Sequence, residues 1–324
     1  MEKRKLEDIV DAAAAADKGD DKRDVYRGTL LGAAAGNALG LPVEGEYHRS
    51  IERHYPGGIT EVDAEELNRP WDDDLAQTAA LAASIVDGFD QQGFADRLLT
   101  WSKDNGRGIG NLTADVMAEL GAGTPASDAA RVVWEQSAMY AAGNGAIMRC
   151  SPVALRYRRS GAQVVTVARA QAAVTHYSPL CQWSSALLCT ALAVSLSGGW
   201  PDPQVLADAA LAAGAPEEVG TEALFVQGLA IGDLGLDDPM DMGFTLKAMQ
   251  VGLWAFEQDR NFADVLVEVV RQGGDTDTNA AIAGAVMGAR LGRSAIPESW
   301  LANIPNTERL VELADVLLER SQTP

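Results

Sequence analysis

The sequence is short of histidine, cysteine and positive charge, and each shortage removes a class of function. Its 324 residues include three histidines (His48, His54, His176) and three cysteines (Cys150, Cys181, Cys189). Three cysteines do not make a disulfide framework. So few sulfur and imidazole ligands also argue against a zinc site. Lysine and arginine number 26 against 46 aspartates and glutamates, a net charge of −20. No basic stripe of the kind a nucleic-acid-binding surface needs is present, so no nucleic-acid partner is expected. An acidic chain can still hold a phosphorylated ligand, through backbone amides, helix ends or metal ions. Long apolar runs are missing as well. The most membrane-like stretch, GTLLGAAAGNALGLPV from Gly28, is too short for a span and rich in glycine. The opening MEKRKLEDIVDAAAAADKGDDKRD holds no apolar core long enough for a signal peptide. These absences predict a soluble, cytoplasmic protein with no membrane partner, expected to be a monomer.

What is present is helical texture. Ala, Leu and Val recur at helical spacing in LAQTAALAASIVDGF, SSALLCTALAVSL and NAAIAGAVMGARLG. Strand-like alternation is scarce; RYRRSGAQVVTVARAQ comes nearest and also fits a turn followed by a helix. Turn-rich breaks fall at YPGGIT, GAGTPASD, GGWPDP and LGLDDPMD, none long enough for an interdomain linker. The reading is one all-α domain over residues 25–324, preceded by a charged, Ala-rich tail or frayed helix over residues 1–24. Small residues also recur every fourth position, at Gly28, Gly32, Gly36 and Gly40 and again at Gly284, Gly288 and Gly292. On a helix such positions share one face, and each glycine costs about 1 kcal/mol relative to alanine. The stripes therefore mark a close approach of helix backbones, either as generic packing or to build a site.

Two acidic clusters carry the chemistry. GGDTDTNAA sets Asp275, Thr276, Asp277 and Thr278 side by side after two glycines, and WDDDLAQT sets Asp72, Asp73 and Asp74 at the head of an apolar helix. A helix N-cap would explain one such residue, but not the whole run. An EF-hand loop is excluded, because its sixth position would be Ala280 and its twelfth Val286. Five carboxylates with neighbouring hydroxyls are hard oxygen donors that suit Mg²⁺ or Mn²⁺. The chemistry suggests two divalent cations clamped between two helix N-termini. A third segment, GNGAIMRCSP from Gly143, fits a tight loop entering a helix, whose amides could meet phosphate oxygens. The NLT at Asn111 matches a glycosylation sequon. His176, in VTHYSP, reads equally as a core or capping histidine.

In order, GTLLGAAAGNALGLPVEG, WDDDLAQTAALA, GNGAIMRCSPVAL, THYSP and GGDTDTNAAIAGAVMGARLG resemble the successive blocks of the ADP-ribosylglycohydrolase family, over about residues 26 to 293. The resemblance implies a single-domain, orthogonal all-α bundle with a binuclear metal cleft. It implies a metal-dependent hydrolase that cleaves the glycosidic bond between ADP-ribose and an acceptor such as an arginine or serine side chain. The implied metal ligands are Asp72, Asp73, Asp74, Asp275, Asp277 and Thr278, holding two Mg²⁺ or Mn²⁺ ions. Glu44, Asp73 and Asp74 are the implied catalytic residues; Gly143, Asn144, Gly145 and His176 would line the bound substrate. The partner is then an ADP-ribosylated protein or a small ADP-riboside. The chain departs from the family pattern in three places. Asp72-Asp73-Asp74-Leu75 stands where Thr-Asp-Asp-Thr is usual, Gly36-Asn37 where Gly-Asp is usual, and Ala142 where a polar or aromatic residue is common. These departures keep two alternatives open: a hydrolase of a small free ADP-riboside or nucleotide-like riboside, and a non-catalytic ADP-ribose-binding protein.

Overall fold

The computed structural model describes residues 4–322, and among them every regular element is helical. The first half runs α1 (Leu6–Ala16), α2 (Arg23–Gly40), α3 (His48–His54), α4 (Asp73–Ser84), α5 (Gln91–Asp104), α6 (Asn111–Gly121), α7 (Ala129–Gln136) and α8 (Ser151–Tyr157). The second half runs α9 (Gly161–Ala172), α10 (Pro179–Leu196), α11 (Pro203–Ala212), α12 (Glu217–Phe225), α13 (Thr245–Phe256), α14 (Phe262–Arg271) and α15 (Thr276–Leu291). Two further helices, α16 (Glu298–Leu301) and α17 (Thr307–Ser321), complete it. Backbone pairing of the β type is limited to two isolated bridges, Tyr47 with Gly273 and Gly143 with Phe244. The RYRRSGAQVVTVARAQ stretch is the end of α8, a turn and α9.

The antiparallel pair α2–α15 is the axis of the fold, and the two glycine stripes explain it. A side-chain carbon at Gly28, Gly32 or Gly36 would collide with the backbone carbonyl of Gly288, Gly284 or Ala280 respectively. One at Gly40 would lie 2.5 Å from the Asp277 Cα. The two backbones thus touch along their length, and the combined helix-propensity cost of about 1 kcal/mol per glycine is offset by that contact. The register has a consequence for chemistry: it sets the C-terminal end of α2 against the N-terminus of α15. Thr276 Oγ1 fastens the junction by donating to the Gly40 carbonyl at 2.8 Å.

Around this axis the buried apolar side chains form one continuous core, from Leu6 to Leu318. The N-terminal stretch read as a tail or frayed helix forms α1, and its first three residues lie outside the described range. The helix is docked. Leu6 and Val10 are fully buried, and Asp11 Oδ1 accepts from the Gly161 backbone amide at 2.7 Å. Just beyond it, buried Asp17 pairs with Arg158 and Lys22. Among the described residues one helix, α10 rather than the glycine-rich stretch of α2, is long and apolar enough to cross a membrane by length and composition. Its 18 residues have mean hydropathy 1.4, and 78% of them are buried inside the protein.

Candidate metal cleft

Two helix N-termini meet at the base of a cleft of about 400 Å³. From α15 come Asp275, Asp277 and Thr278; from α4 come Asp72, Asp73 and Asp74. Gly273 and Gly274 make the first approach possible. Both have a left-handed backbone (φ 77° and 75°), and a side chain at either would run into backbone, at Glu46 or at Leu236. Their turn pairs with the segment after α2: Gly45 N donates to Gly274 O and Gly274 N to Glu46 O, each at 2.8 Å. This places Glu44 on the cleft wall.

Asp72 and Asp275 both occupy N-cap positions, yet neither side chain makes a capping hydrogen bond with its own helix. Capping therefore does not account for the acidic runs. Asp275 Oδ2 instead accepts from Asn144 Nδ2 at 2.7 Å, which ties α15 to the Gly143–Gly145 loop. Asp72 Oδ2 accepts from Asn37 Nδ2 at 2.9 Å. Two of the departures from the family pattern are thus in contact: the amide at position 37 donates to the carboxylate at position 72. An aspartate at 37 would set two carboxylates against each other. Asp74 Oδ2 accepts from Thr278 Oγ1 at 3.1 Å, bridging α4 to α15. Leu75 points into the core.

The buried carboxylates Asp72, Asp74 and Asp277 each offer an oxygen within 4.8 Å of the others. Among the described residues, Asp72 Oδ1, Asp74 Oδ1 and Asp277 Oδ1 have no hydrogen-bond partner. Burying such atoms unpaired is costly. Burial, reinforced by the neighbouring carboxylates, raises the whole group. Asp74 and Asp277 are held well above the usual aspartate range, and Asp73 is pushed up to about 8. Burial also raises Asp72 and Glu44, the latter with help from Asp275 and Asp72. Hard anionic oxygens that converge without donors of their own fit a divalent cation of the Mg²⁺ or Mn²⁺ type.

The remaining wall is assembled from distant segments. The cleft is lined by Glu44, Asp73, Asp275, Asp277, Thr278, Gly143, Asn144, Gly145 and His176, with Asp72 and Asp74 buried beside Asp277. All the residues singled out in the sequence are therefore in one place. Gly143–Gly145 is an irregular segment, and its helix, α8, begins only at Ser151. Several neighbours were not read from the sequence. Gly108, Gly110, Asn111, Leu112 and Thr113 line the wall ahead of and within the first turn of α6, and Met242 faces them. Asn111, noted only as part of a sequon, is one of these wall residues. Beneath the cleft lies Arg149, fully buried. Its Nη1 donates to Gln77 Oε1, and Gln77 Nε2 lies 3.5 Å from Asp73 Oδ2. A charged residue inside the apolar AIMRCSP run was the available signal, since a buried guanidinium must find acceptors.

Known proteins resemble this chain along nearly its whole length. The model of the family described as ADP-ribosylglycohydrolase matches residues 18–324. An uncharacterized protein of Archaeoglobus fulgidus is 30% identical over 308 residues, covering 91% of this chain and 96% of that one. The ADP-ribosylarginine hydrolase Tri1 of Pseudomonas putida is 26% identical over 315 residues, covering 92% and 79%. Among solved structures, one titled an ADP-ribosylglycohydrolase-related protein complex superposes with a TM-score of 0.72 at 26% identity. It covers 93% of this chain and 99% of its own.

Proposed function

The chain belongs to the ADP-ribosylglycohydrolase family and is a hydrolase of that kind, and from this premise we propose that it releases ADP-ribose from arginine side chains of modified proteins, with two divalent cations at the base of the cleft. The observation that carries the metal part is the set of three buried carboxylate oxygens, on Asp72, Asp74 and Asp277, that no protein donor satisfies. Support for arginine is twofold. A similar protein is named an ADP-ribosylarginine hydrolase, and the Glu44 carboxylate on the cleft wall is complementary to a cationic guanidinium.

In this reading Asp72, Asp73, Asp74, Asp275, Asp277 and Thr278 hold Mg²⁺ or Mn²⁺. Bound there, the cations would orient ribose hydroxyls and acidify water. The chain's own groups do the rest. Asn144 fixes the Asp275 carboxylate and keeps the Gly143–Gly145 loop against α15. The Gly143–Gly145 loop, its Asn144 backbone amide held by the Gly243 carbonyl at 2.9 Å, and the His176 ring line the cleft that receives the ligand. Glu44, whose partial desolvation on the cleft wall and neighbours Asp275 and Asp72 raise its proton affinity, is suited to take a proton from the attacking water as the glycosidic bond to the anomeric carbon breaks.

The test is release of ADP-ribose from ADP-ribosyl-arginine peptide, ADP-ribosyl-serine peptide and a panel of free ADP-ribosides, each in Mg²⁺, Mn²⁺ and EDTA. Metal-dependent release from the arginine conjugate is expected. Turnover that ignores EDTA would refute the cation site. Release from serine conjugates or free ribosides alone would refute the acceptor.

A further inference from the structure

Arg149 and His176 belong to one hydrogen-bonded chain whose direction can be read from its chemistry. A guanidinium only donates. Arg149 Nε donates to Gln171 Oε1 at 3.0 Å, and its Nη2 donates to the Gln171 carbonyl at 3.1 Å and to Thr175 Oγ1 at 2.7 Å. Together with Gln77, these acceptors are all neutral. Thr175 is fully buried, and its hydroxyl oxygen has one other contact among the described residues, His176 Nδ1 at 2.8 Å. Because the oxygen already accepts from Arg149, its proton needs an acceptor of its own, and Nδ1 is within reach. A proton on Nδ1 would make the hydroxyl accept twice, from Arg149 and from His176, and strand its own proton in the core with no acceptor.

We propose that Arg149, acting through the Thr175 hydroxyl, holds His176 in the neutral tautomer that carries its proton on Nε2. The imidazole then presents a fixed N–H donor to the cleft. This donor is matched to an acceptor oxygen of ADP-ribose; that last part rests on the function proposed above, whereas the tautomer does not. Three further observations agree. His176 lines the cleft, and Nε2 has no protein partner among the described residues. Access to Nε2 depends on the two loop glycines, since a side-chain carbon would lie 3.1 Å from it at Gly145 and 3.4 Å at Gly143. Burial and the Arg149 charge also push the imidazole down to about 3, so the ring stays neutral at physiological pH. In a cleft otherwise rich in carboxylates, a neutral donor of fixed direction distinguishes a ligand oxygen from a cation. Arg149 and Thr175 are positioning residues, because neither lines the cleft.

The chain has three histidines, so the two-bond ¹H–¹⁵N spectrum of its imidazoles resolves the question directly. His176 is assigned by the signals lost in His176→Gln. The full-length protein should show the Nε2-protonated neutral pattern for His176 from pH 5 to 8, and Thr175→Ser should preserve it. Thr175→Val should release it to a mixture or to the Nδ1-protonated form, and should weaken ADP-ribose binding about 10-fold by calorimetry, the worth of roughly one hydrogen bond. An Nδ1-protonated His176 in the wild type, or a Thr175→Val spectrum identical to it, overturns the lock. If Thr175→Val does not fold, the wild-type and Thr175→Ser spectra decide the matter alone. Wild-type protein that shows the expected tautomer but binds no ADP-ribose would leave the lock standing and overturn the proposed ligand.

Discussion

In EDTA, the protein should lose stability as pH rises from 6.5 to 8. The carboxyl of Asp73 is held at about 8, against an ordinary aspartate value of 3.8. A group whose folded value is raised stabilises the fold fully below its ordinary value, and that contribution is lost as pH rises toward the folded value. Between 3.8 and about 8, the folded chain keeps a proton that the unfolded chain has shed. Each pH unit in that window costs about 1.4 kcal/mol. His176 works in the opposite direction. Its folded value is lowered to about 3, so its contribution is complete above its ordinary value of 6.5 and is lost only as pH falls below it. The window from 6.5 to 8 therefore isolates the carboxylates. Asp73 alone accounts for about 2 kcal/mol across it, and Asp74 and Asp277, also raised by burial and by neighbouring carboxylates, act in the same direction. For a chain of this length about 2 °C of melting temperature accompanies each kcal/mol, so the midpoint should fall by about 4 °C or more. The assay is thermal unfolding followed by circular dichroism at half-unit pH steps, in EDTA and in millimolar MgCl₂ or MnCl₂. A cation favours the ionised carboxylates and displaces their protons, so it should stabilise more at pH 8 than at pH 6.5. A midpoint in EDTA that stays level or rises with pH would refute the reasoning, as would a cation effect independent of pH.

Four further outcomes are expected. Gly36→Ala drives a methyl into the Ala280 carbonyl and should cost about 3 kcal/mol or more by urea unfolding. Gly57→Ala, where a side-chain carbon meets nothing within 4 Å, should change stability by less than about 0.5 kcal/mol. Asn37→Asp replaces the donor to Asp72 with a second carboxylate at the same 2.9 Å contact. In EDTA at pH 8 it should lose about 3 kcal/mol, with part regained on adding Mg²⁺; no loss would mean that the contact is incidental. Leu6→Ala empties a fully buried site under α1 and should cost about 3 kcal/mol in the same unfolding assay, whereas a tail would tolerate it.

The helices were legible because apolar residues repeat at 3.6-residue spacing, and the absence of alternating runs left no competing pattern. The glycine stripes were legible too, as faces. What sequence spacing could not supply was the pairing of one stripe with the other, so packing and site-building stood as alternatives. In the structure they are a single fact, since the contact that joins Gly36 to Ala280 also brings Gly40 to Asp277. The docking of α1 was missed because Leu6 and Val10 are a two-residue stripe among charges and alanines, and their partners come from α9 and α10 far along the chain. Arg149 was missed for a related reason. Its acceptors, Gln77 on α4 and Gln171 and Thr175 at and just beyond the end of α9, come from two segments apart from its own, and none is an acid that charge pairing would have suggested.

The cleft base is a place where the fold gives up stability, and its construction indicates why the chain tolerates the loss. Both acidic runs sit at helix N-termini, where the backbone dipole favours negative charge. A buried guanidinium with only neutral partners lies beneath them. Those two compensations are incomplete, because Asp73, Asp74 and Asp277 all remain raised despite them. The deficit is not relieved by local rearrangement either. Asp72 is held by Asn37, Asp74 by Thr278 and Asp275 by Asn144, and α15 is in backbone contact with α2, which carries Asn37, through the glycines. A carboxylate cluster that the surrounding packing keeps from spreading apart presents its free oxygens in a fixed arrangement. Its remaining charge deficit is then available as binding free energy for a cation, in place of the ordering cost that a flexible site would incur.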